Sequence, residues 1–316
     1  MIFKRMLGAF GIGGPSVDTV LTTRGALPGG EVAGEVRLQG GDFDASIEHV
    51  TLALVTGAEA EHGDGEHHGT IEFFRFEVSG PFTLAKGETR ALPFRLTLPW
   101  EAPLTEAGGR PLPRMGVGVR TELAIAGAVD KGDLDPVAVT ALPSQDAVLR
   151  GLDRLGFRAH SADVELGQLY GMRQELPFYQ EIEYYPGAQH AGRVNELELT
   201  FVASPGGLTV IVEADKRGGG HGGDAIGRFD VTHEQAEQMD WAAELSSWLD
   251  AVPAGHVPGY GYDTHGGHRR HHDHDHDGGG MGGVLAAGAL GVAGGLVAAE
   301  VVEEIFESDE DEGGDW

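Results

Sequence analysis

Between residues 16 and 126 the chain alternates apolar and polar positions with a period of two. The run EVAGEVRL sets Val32, Gly34, Val36 and Leu38 on one side and Glu31, Ala33, Glu35 and Arg37 on the other. LPFRLTL repeats the pattern with Leu92, Phe94, Leu96 and Leu98, and VGVRTELAI with Val117, Val119, Thr121, Leu123 and Ile125. Successive side chains of a strand point to opposite faces, so this spacing predicts antiparallel sheets packed face to face. LPGGE, QGGDFD and SGPF supply the turns. The expected unit is a β-sandwich over residues 1–127. Inside it, EHGDGEHHGT (61–70) carries ligand-type side chains (His62, Asp64, Glu66, His67, His68), but reads more simply as a polar hairpin or loop.

The alternation breaks at AVDKGDLDP, so residues 128–137 are expected to form a linker. A helix near 144–155 follows, with Ser144 as N-cap, Val148, Leu149, Leu152 and Leu155 on one face, and Gly156 at the C-terminal cap. Strands resume in FYQEIEYYP, ELELTFVA and LTVIVEAD, giving a second β unit over 138–252. It closes on a single helix over 232–252. Thr232 and Gln235 form its capping box, and Met239, Ala242, Leu245, Leu249 and Val252 form its apolar stripe, with Trp241 and Trp248 on the flank. The glycine-rich KRGGGHGGD (216–224) reads as a strand connection, because no phosphate-binding helix opens after it.

After Pro253 the composition changes to that of a flexible tail. Residues 265–280 hold six histidines and three aspartates. His268, His271, His272, His274 and His276 are the candidate metal ligands. In an extended chain the alternating histidines lie about 6.6 Å apart, too far for neighbours to chelate one ion rigidly. The tract therefore reads chiefly as a charged, pH-sensitive spacer. The 19-residue uncharged run 281–299 is rich in Gly and Ala. Gly283, Ala287, Gly291, Gly295 and Ala299 recur every fourth residue, so a helix there would carry a small-residue ridge suited to close association. Self-association or docking is favoured over membrane insertion and disorder, and a homo-oligomer through the tail is one expectation. Acidic residues crowd the last seventeen positions, a solubilising tail or a short partner motif around Val301, Val302, Ile305 and Phe306.

Lys and Arg number 22 against 50 Asp and Glu, a formal charge of −28. That balance argues against nucleic acid as partner and against docking on an anionic membrane. The absence of cysteine removes thiol catalysis and thiolate metal sites. MIFKRMLGAFGIGGP is too short and too glycine-rich for a signal peptide, and reads as an amphipathic segment with Ile2, Phe3, Met6, Leu7 and Phe10 on one side. No nucleophile elbow, Walker loop or dinucleotide fingerprint occurs, so neither an active site nor a cofactor is expected.

Several longer stretches carry a resemblance: FKRMLGAFGIGGPSVDT, WEAP (100–103), RTELAIAGAVDKGDLDP (120–136), LGF (155–157), LPFYQEIEYYPG (176–187) and EADKR (213–217). In this order they resemble the bacterial SpoOM sporulation-control family over Phe3 to about Arg217, some two-thirds of the chain. The resemblance implies two tandem arrestin-like β-sandwich domains with a few helices. It also implies a non-enzymatic cytoplasmic scaffold or adaptor, acting through protein partners in sporulation and cell-division control. By analogy with arrestin-like folds, charges at the domain junction would set the inter-domain angle: Asp130, Lys131, Asp133 and Asp135, paired with Arg114 or Arg120. Two alternatives stand beside this reading. One is a metal-responsive protein built on the histidine tract, and the other a membrane-anchored organiser using 281–299.

Overall fold

A computed structural model describes residues 13–62, 65–216 and 225–251 of the chain. The chain is mainly β. Strands β1 (Ser16–Leu21), β2 (Gly25–Ala26), β3 (Glu31–Gln39), β4 (Ala45–His62), β5 (Gly65–Ser79), β6 (Phe82–Leu84) and β7 (Thr89–Thr97) come first. They are followed by β8 (Glu106–Ala107), β9 (Arg110–Pro111), β10 (Val117–Ile125), β11 (Lys131–Pro136) and β12 (Ala138–Val139). A three-stranded sheet, β1-β3-β7, faces the sheet containing β11, β10, β4, β5 and β6. The expected alternation holds: Val32, Val36, Leu38, Phe94, Leu96 and Leu98 are buried against Val50, Leu52, Leu54, Val119 and Leu123. Gly34 interrupts the buried row because a Cβ there would lie 2.5 Å from the Val20 carbonyl oxygen and 2.8 Å from the Phe94 ring.

The stretch expected to be a linker is instead largely strand. Residues 131–136 form β11, which pairs antiparallel with β10, from Lys131 opposite Leu123 to Pro136 opposite Gly118. Alternating charges do not prevent pairing on a sheet edge, where one face stays wet. Here they also close the sandwich. Asp133 Oδ2 accepts the Thr19 backbone N–H at 2.6 Å, and Thr19 Oγ1 lies 2.6 Å from Thr121 Oγ1, so β1 of one sheet is stitched to β10 and β11 of the other.

The second part of the chain contains α1 (Pro143–Arg154), β13 (Arg158–Leu166), β14 (Phe178–Tyr185), β15 (Val194–Ser204), β16 (Gly207–Lys216), β17 (Ala225–Val231), α2 (His233–Gln238) and α3 (Trp241–Ala251). Strands β13 to β17 are antiparallel neighbours in chain order. Within the described residues the expected second sandwich is one such sheet with helices, not a second sheet, on its inner face. Trp241, Leu245 and Leu249 supply the apolar layer that a facing sheet would otherwise provide, meeting Val210, Val212, Val148 and Leu152 in one continuous core.

Two helix boundaries differ from expectation. Helix α1 begins one residue early, with Leu142 at the N-cap position and Pro143 in the first turn. Proline's fixed φ and missing N–H suit that position, and Gln145 Oε1 accepts the Leu142 N–H at 2.9 Å. Ser144 is therefore inside the helix and not its cap. The C-terminal side agrees with expectation, Gly156 having φ +82°. The single helix expected over 232–252 is two. The Thr232–Gln235 capping box is present, but Met239 is extended and ends α2. The break lets Trp241 turn inward, where its Nε1–H donates to the Ala236 carbonyl at 2.8 Å and its ring is fully buried. A continuous helix would have left that indole on the flank. No helix among the described residues is long and apolar enough to cross a membrane.

Candidate functional site

The N-terminal half (residues 13–142) and the C-terminal half (143–251) meet along a junction with an apolar centre and a hydrogen-bonded rim. Strand β4 runs on past β10 to a single parallel bridge with β13, Glu59 opposite Glu165. Beside it Ala58, Ile71, Phe73 and Met115 pack against Val164, Leu176 and Phe178. The Phe73 and Phe178 rings meet edge to face, 5.6 Å between centroids at 86°, a favourable arrangement for aromatic quadrupoles.

The rim is built mainly by the segment after β7. The Glu101 carboxylate accepts the backbone N–H of Glu175 (2.9 and 2.8 Å to its two oxygens) and of Leu176 (2.8 Å). Three residues on, Leu104 exchanges both its backbone groups with the Gln180 amide, at 2.8 Å each. The loop that Glu101 grips is held in shape by Gln174, whose Nε2 donates to the carbonyls of Gly167, Leu176 and Phe178. Burial is the largest influence on Glu101 and lifts its carboxyl above the usual range, against the pull of the two amide donors. Trp100 lies 5.7 Å from the His233 ring, adding an aromatic contact to the rim.

Of the six charges expected at a junction, Arg114 reaches the other half, its guanidinium 2.5 Å from Ser161 Oγ. The partners of the others lie in the N-terminal half, because β11 is an edge strand of that half's sheet. Asp130 accepts the Ile125 N–H, Asp133 the Thr19 N–H, and Arg120 pairs with Glu72 at 2.6 Å. Asp135 is pushed up to about 6 by burial and by Asp133 and Asp18, and Lys131 stands opposite Leu123. Glu101 and Gln180 were legible only as members of the WEAP and LPFYQ stretches and Gln174 not at all, since a docking carboxylate or amide has no spacing signature. His268, His271, His272, His274 and His276, the ridge Gly283, Ala287, Gly291, Gly295 and Ala299, and the N-terminal apolar face lie outside the described residues.

Arg114 has φ +59°, a left-handed conformation that costs a side-chain-bearing residue about 1 kcal/mol. Arg114→Ala loses the Ser161 bond and keeps the strain, whereas Arg114→Gly loses the bond and relieves it. Chemical denaturation is expected to find the glycine variant about 1 kcal/mol more stable than the alanine variant.

One pair has the elements of a nucleophile and base. Ser144 Oγ lies 2.8 Å from His233 Nδ1, and His233 Nε2 lies 2.8 Å from the Ser204 carbonyl oxygen. A carbonyl can only accept, so Nε2 carries a proton, and in the neutral imidazole Nδ1 is then the acceptor. Ser144 is 1% exposed, so no substrate reaches it, and the pair is a strut tying α1 to α2 and β15.

The outer face of the C-terminal sheet is acidic. Cross-strand pairing sets Asp163 opposite Glu181, and Glu183, Glu198 and Glu213 opposite one another on β14, β15 and β16. Asp163 is pushed up to about 8 by burial and by the surrounding glutamates Glu181, Glu165, Glu183 and Glu59. Among the described residues one group has metal-ligand geometry, His160 with Glu183 and Glu196 on the same face.

A family model described as "SpoOM protein" matches residues 3–218. The sporulation-control protein spo0M of Bacillus subtilis (strain 168) is 36% identical over 219 residues, which cover 69% of this chain and 82% of that protein. The crystal structure of Spo0M, a sporulation control protein from Bacillus subtilis, superposes with a TM-score of 0.65 at 32% identity. That match covers 76% of this chain and 99% of that one.

Proposed function

Since the chain belongs to the SpoOM family, we propose that it is a non-enzymatic cytoplasmic adaptor in the control of sporulation and cell division, working through protein–protein contacts. The observation that carries this reading is the junction. The most elaborate side-chain chemistry described there is spent on fixing one half against the other, through Glu101, Gln180 and Arg114. A partner would then meet surfaces of both halves at a set angle. We read the halves as two arrestin-like units in tandem, the second with a helical layer where the first has a second sheet.

Edge strands offer one mode of contact, because their outer backbone groups can pair with an added strand. Pro93 interrupts the donor row of β7 and disfavours addition there. Strand β17, paired on one side with β16, is the better candidate. The test is a cross-linking pull-down from sporulating cells with the full chain and with a chain ending at residue 252. Recovery of the same specific protein by both supports an adaptor whose contact lies before the tail. Recovery of none by either rejects the adaptor.

A further inference from the structure

We propose that His160, Glu183 and Glu196 form a binding site for a divalent transition metal ion of the zinc type on the outer face of the C-terminal sheet. The site is independent of the adaptor reading. The three residues sit on adjacent strands, β13, β14 and β15. His160 Nε2 lies 2.6 Å from Glu196 Oε1 and 3.6 Å from Glu183 Oε2, and all three ligand atoms fall within 4.8 Å of one another. Ligand atoms at ordinary zinc distances in a tetrahedron are about 3.3 Å apart. The cluster is therefore near the required spacing, and small side-chain rotations open the shorter contact. Imidazole and carboxylate together suit zinc and its neighbours better than calcium or magnesium, which prefer all-oxygen shells.

Two features of the backbone converge on this cluster. The β13–β14 register shifts between Ala159 and Ser161, which makes His160 the extra residue of a bulge. The β15–β16 register shifts between Val194 and Glu196, so Glu196 directly follows a second irregularity at Asn195. Bulges bend a strand and re-aim side chains, and they gather beside functional sites. Here one brings the imidazole, and the other adjoins the carboxylate it meets. The His160 ring is further held by stacking on Tyr185, 3.7 Å between centroids at 10°, which presents Nε2 to the two carboxylates. Each of the three side chains is less than a quarter exposed, leaving room for water or a fourth ligand at the surface.

The surroundings favour a cation as well. Like charges directly opposite on neighbouring strands destabilise a sheet, yet Glu183 and Glu198 are paired so, and Asp163 faces Glu181 one row away. A divalent ion bound by Glu183 and Glu196 lowers that repulsion. The alternative is a plain hydrogen bond between His160 and Glu196 with no metal.

The test uses the full chain with the six histidines of residues 265–276 replaced by asparagine, so that the tail contributes no imidazole. Zinc chloride is titrated by calorimetry at pH 7.5, and thermal unfolding is followed with and without the ion. The expected result is saturable uptake of one Zn²⁺ per chain with a raised Tm, since a site present only in the folded state stabilises it. Adding Glu196→Gln or His160→Asn is expected to weaken uptake at least about tenfold and to abolish the Tm rise, with far-UV circular dichroism unchanged. His49→Asn, which alters a looser contact 3.9 Å from Glu122, leaves both intact. Absence of saturable uptake in the parent background, or uptake unaltered by both substitutions, overturns the site and leaves the His160–Glu196 hydrogen bond alone.

Discussion

Glu101→Ala is expected to lower the stability of the chain by about 2–3 kcal/mol and to loosen its two halves. The substitution strips the acceptor from the Glu175 and Leu176 N–H groups. Hydrogen bonds to an ionised acceptor contribute about 1.5–3 kcal/mol each, and donors left behind in a partly closed interface are costly. Water entering the opened rim recovers part of that loss. Glu101→Gln keeps one acceptor oxygen and is expected to lose about half as much. Burial raises the Glu101 carboxyl above its ordinary range, so ionisation by itself does not stabilise the fold. The carboxylate's contribution is directional, holding the 167–177 loop in one position against the N-terminal half. Hydrogen exchange separates this from a general loss of stability. The amides of Glu175 and Leu176 should exchange at least about tenfold faster in Glu101→Ala at a denaturant concentration where the β3 amides are unchanged.

The second large effect has the opposite sign. Asp163→Asn is expected to stabilise the chain at neutral and alkaline pH. The ordinary value for the group is 3.8, and in the fold it is pushed up to about 8, first by burial and then by Glu181, Glu165, Glu183 and Glu59. Its Oδ1 is buried and accepts no hydrogen bond among the described residues. Between these two values the folded chain holds a proton that the unfolded chain releases, so stability falls as pH rises through the window and levels off above about 8. Just over four pH units at about 1.36 kcal/mol each give an upper bound of about 6 kcal/mol. Water at the open part of the carboxyl reduces this to about 2–3 kcal/mol. Asparagine mimics the protonated acid and does not titrate. Urea denaturation should therefore find the two chains alike near pH 4, and the variant increasingly more stable up to pH 8.5. A constant difference across that range would assign the effect to packing instead.

The first sandwich was legible because one of its faces is wet. Val32, Val36 and Leu38 alternate with Glu31, Glu35 and Arg37, and on β3 the buried residues are those that the alternation marks. Where a charged strand closes an edge the same logic misleads. Residues 131–136 carry the polarity of a linker, but their partners are the backbones of β10 and β1, which no local pattern records. Trp241 was misplaced for a related reason. The helical period continues through Met239 and Asp240, and the break exists because the indole finds Ala236 and the groove at Gly151, where a Cβ would lie 2.5 Å from the Trp241 Cβ. The junction was the least legible part. Glu101, Gln174 and Gln180 act on backbone groups 74 to 76 residues away or within their own loop, and backbone amides leave no trace in the sequence. The charges that did stand out, Asp130, Asp133 and Arg120, find their partners within the N-terminal half. His160 gave no signal either, since a bulge brings it to carboxylates on two other strands.

The proposed adaptor role requires a partner that reads both halves at a fixed angle. Its most direct test is a quantitative cross-linking pull-down from sporulating cells, comparing the full chain with the full-length double variant Glu101→Ala, Gln180→Ala. Circular dichroism must first show that the variant keeps its strand content at the growth temperature. The prediction is that a specific protein captured by the unaltered chain is recovered at least about tenfold less by the variant. Equal recovery of that protein by both chains would contradict the claim that the junction sets the binding surface.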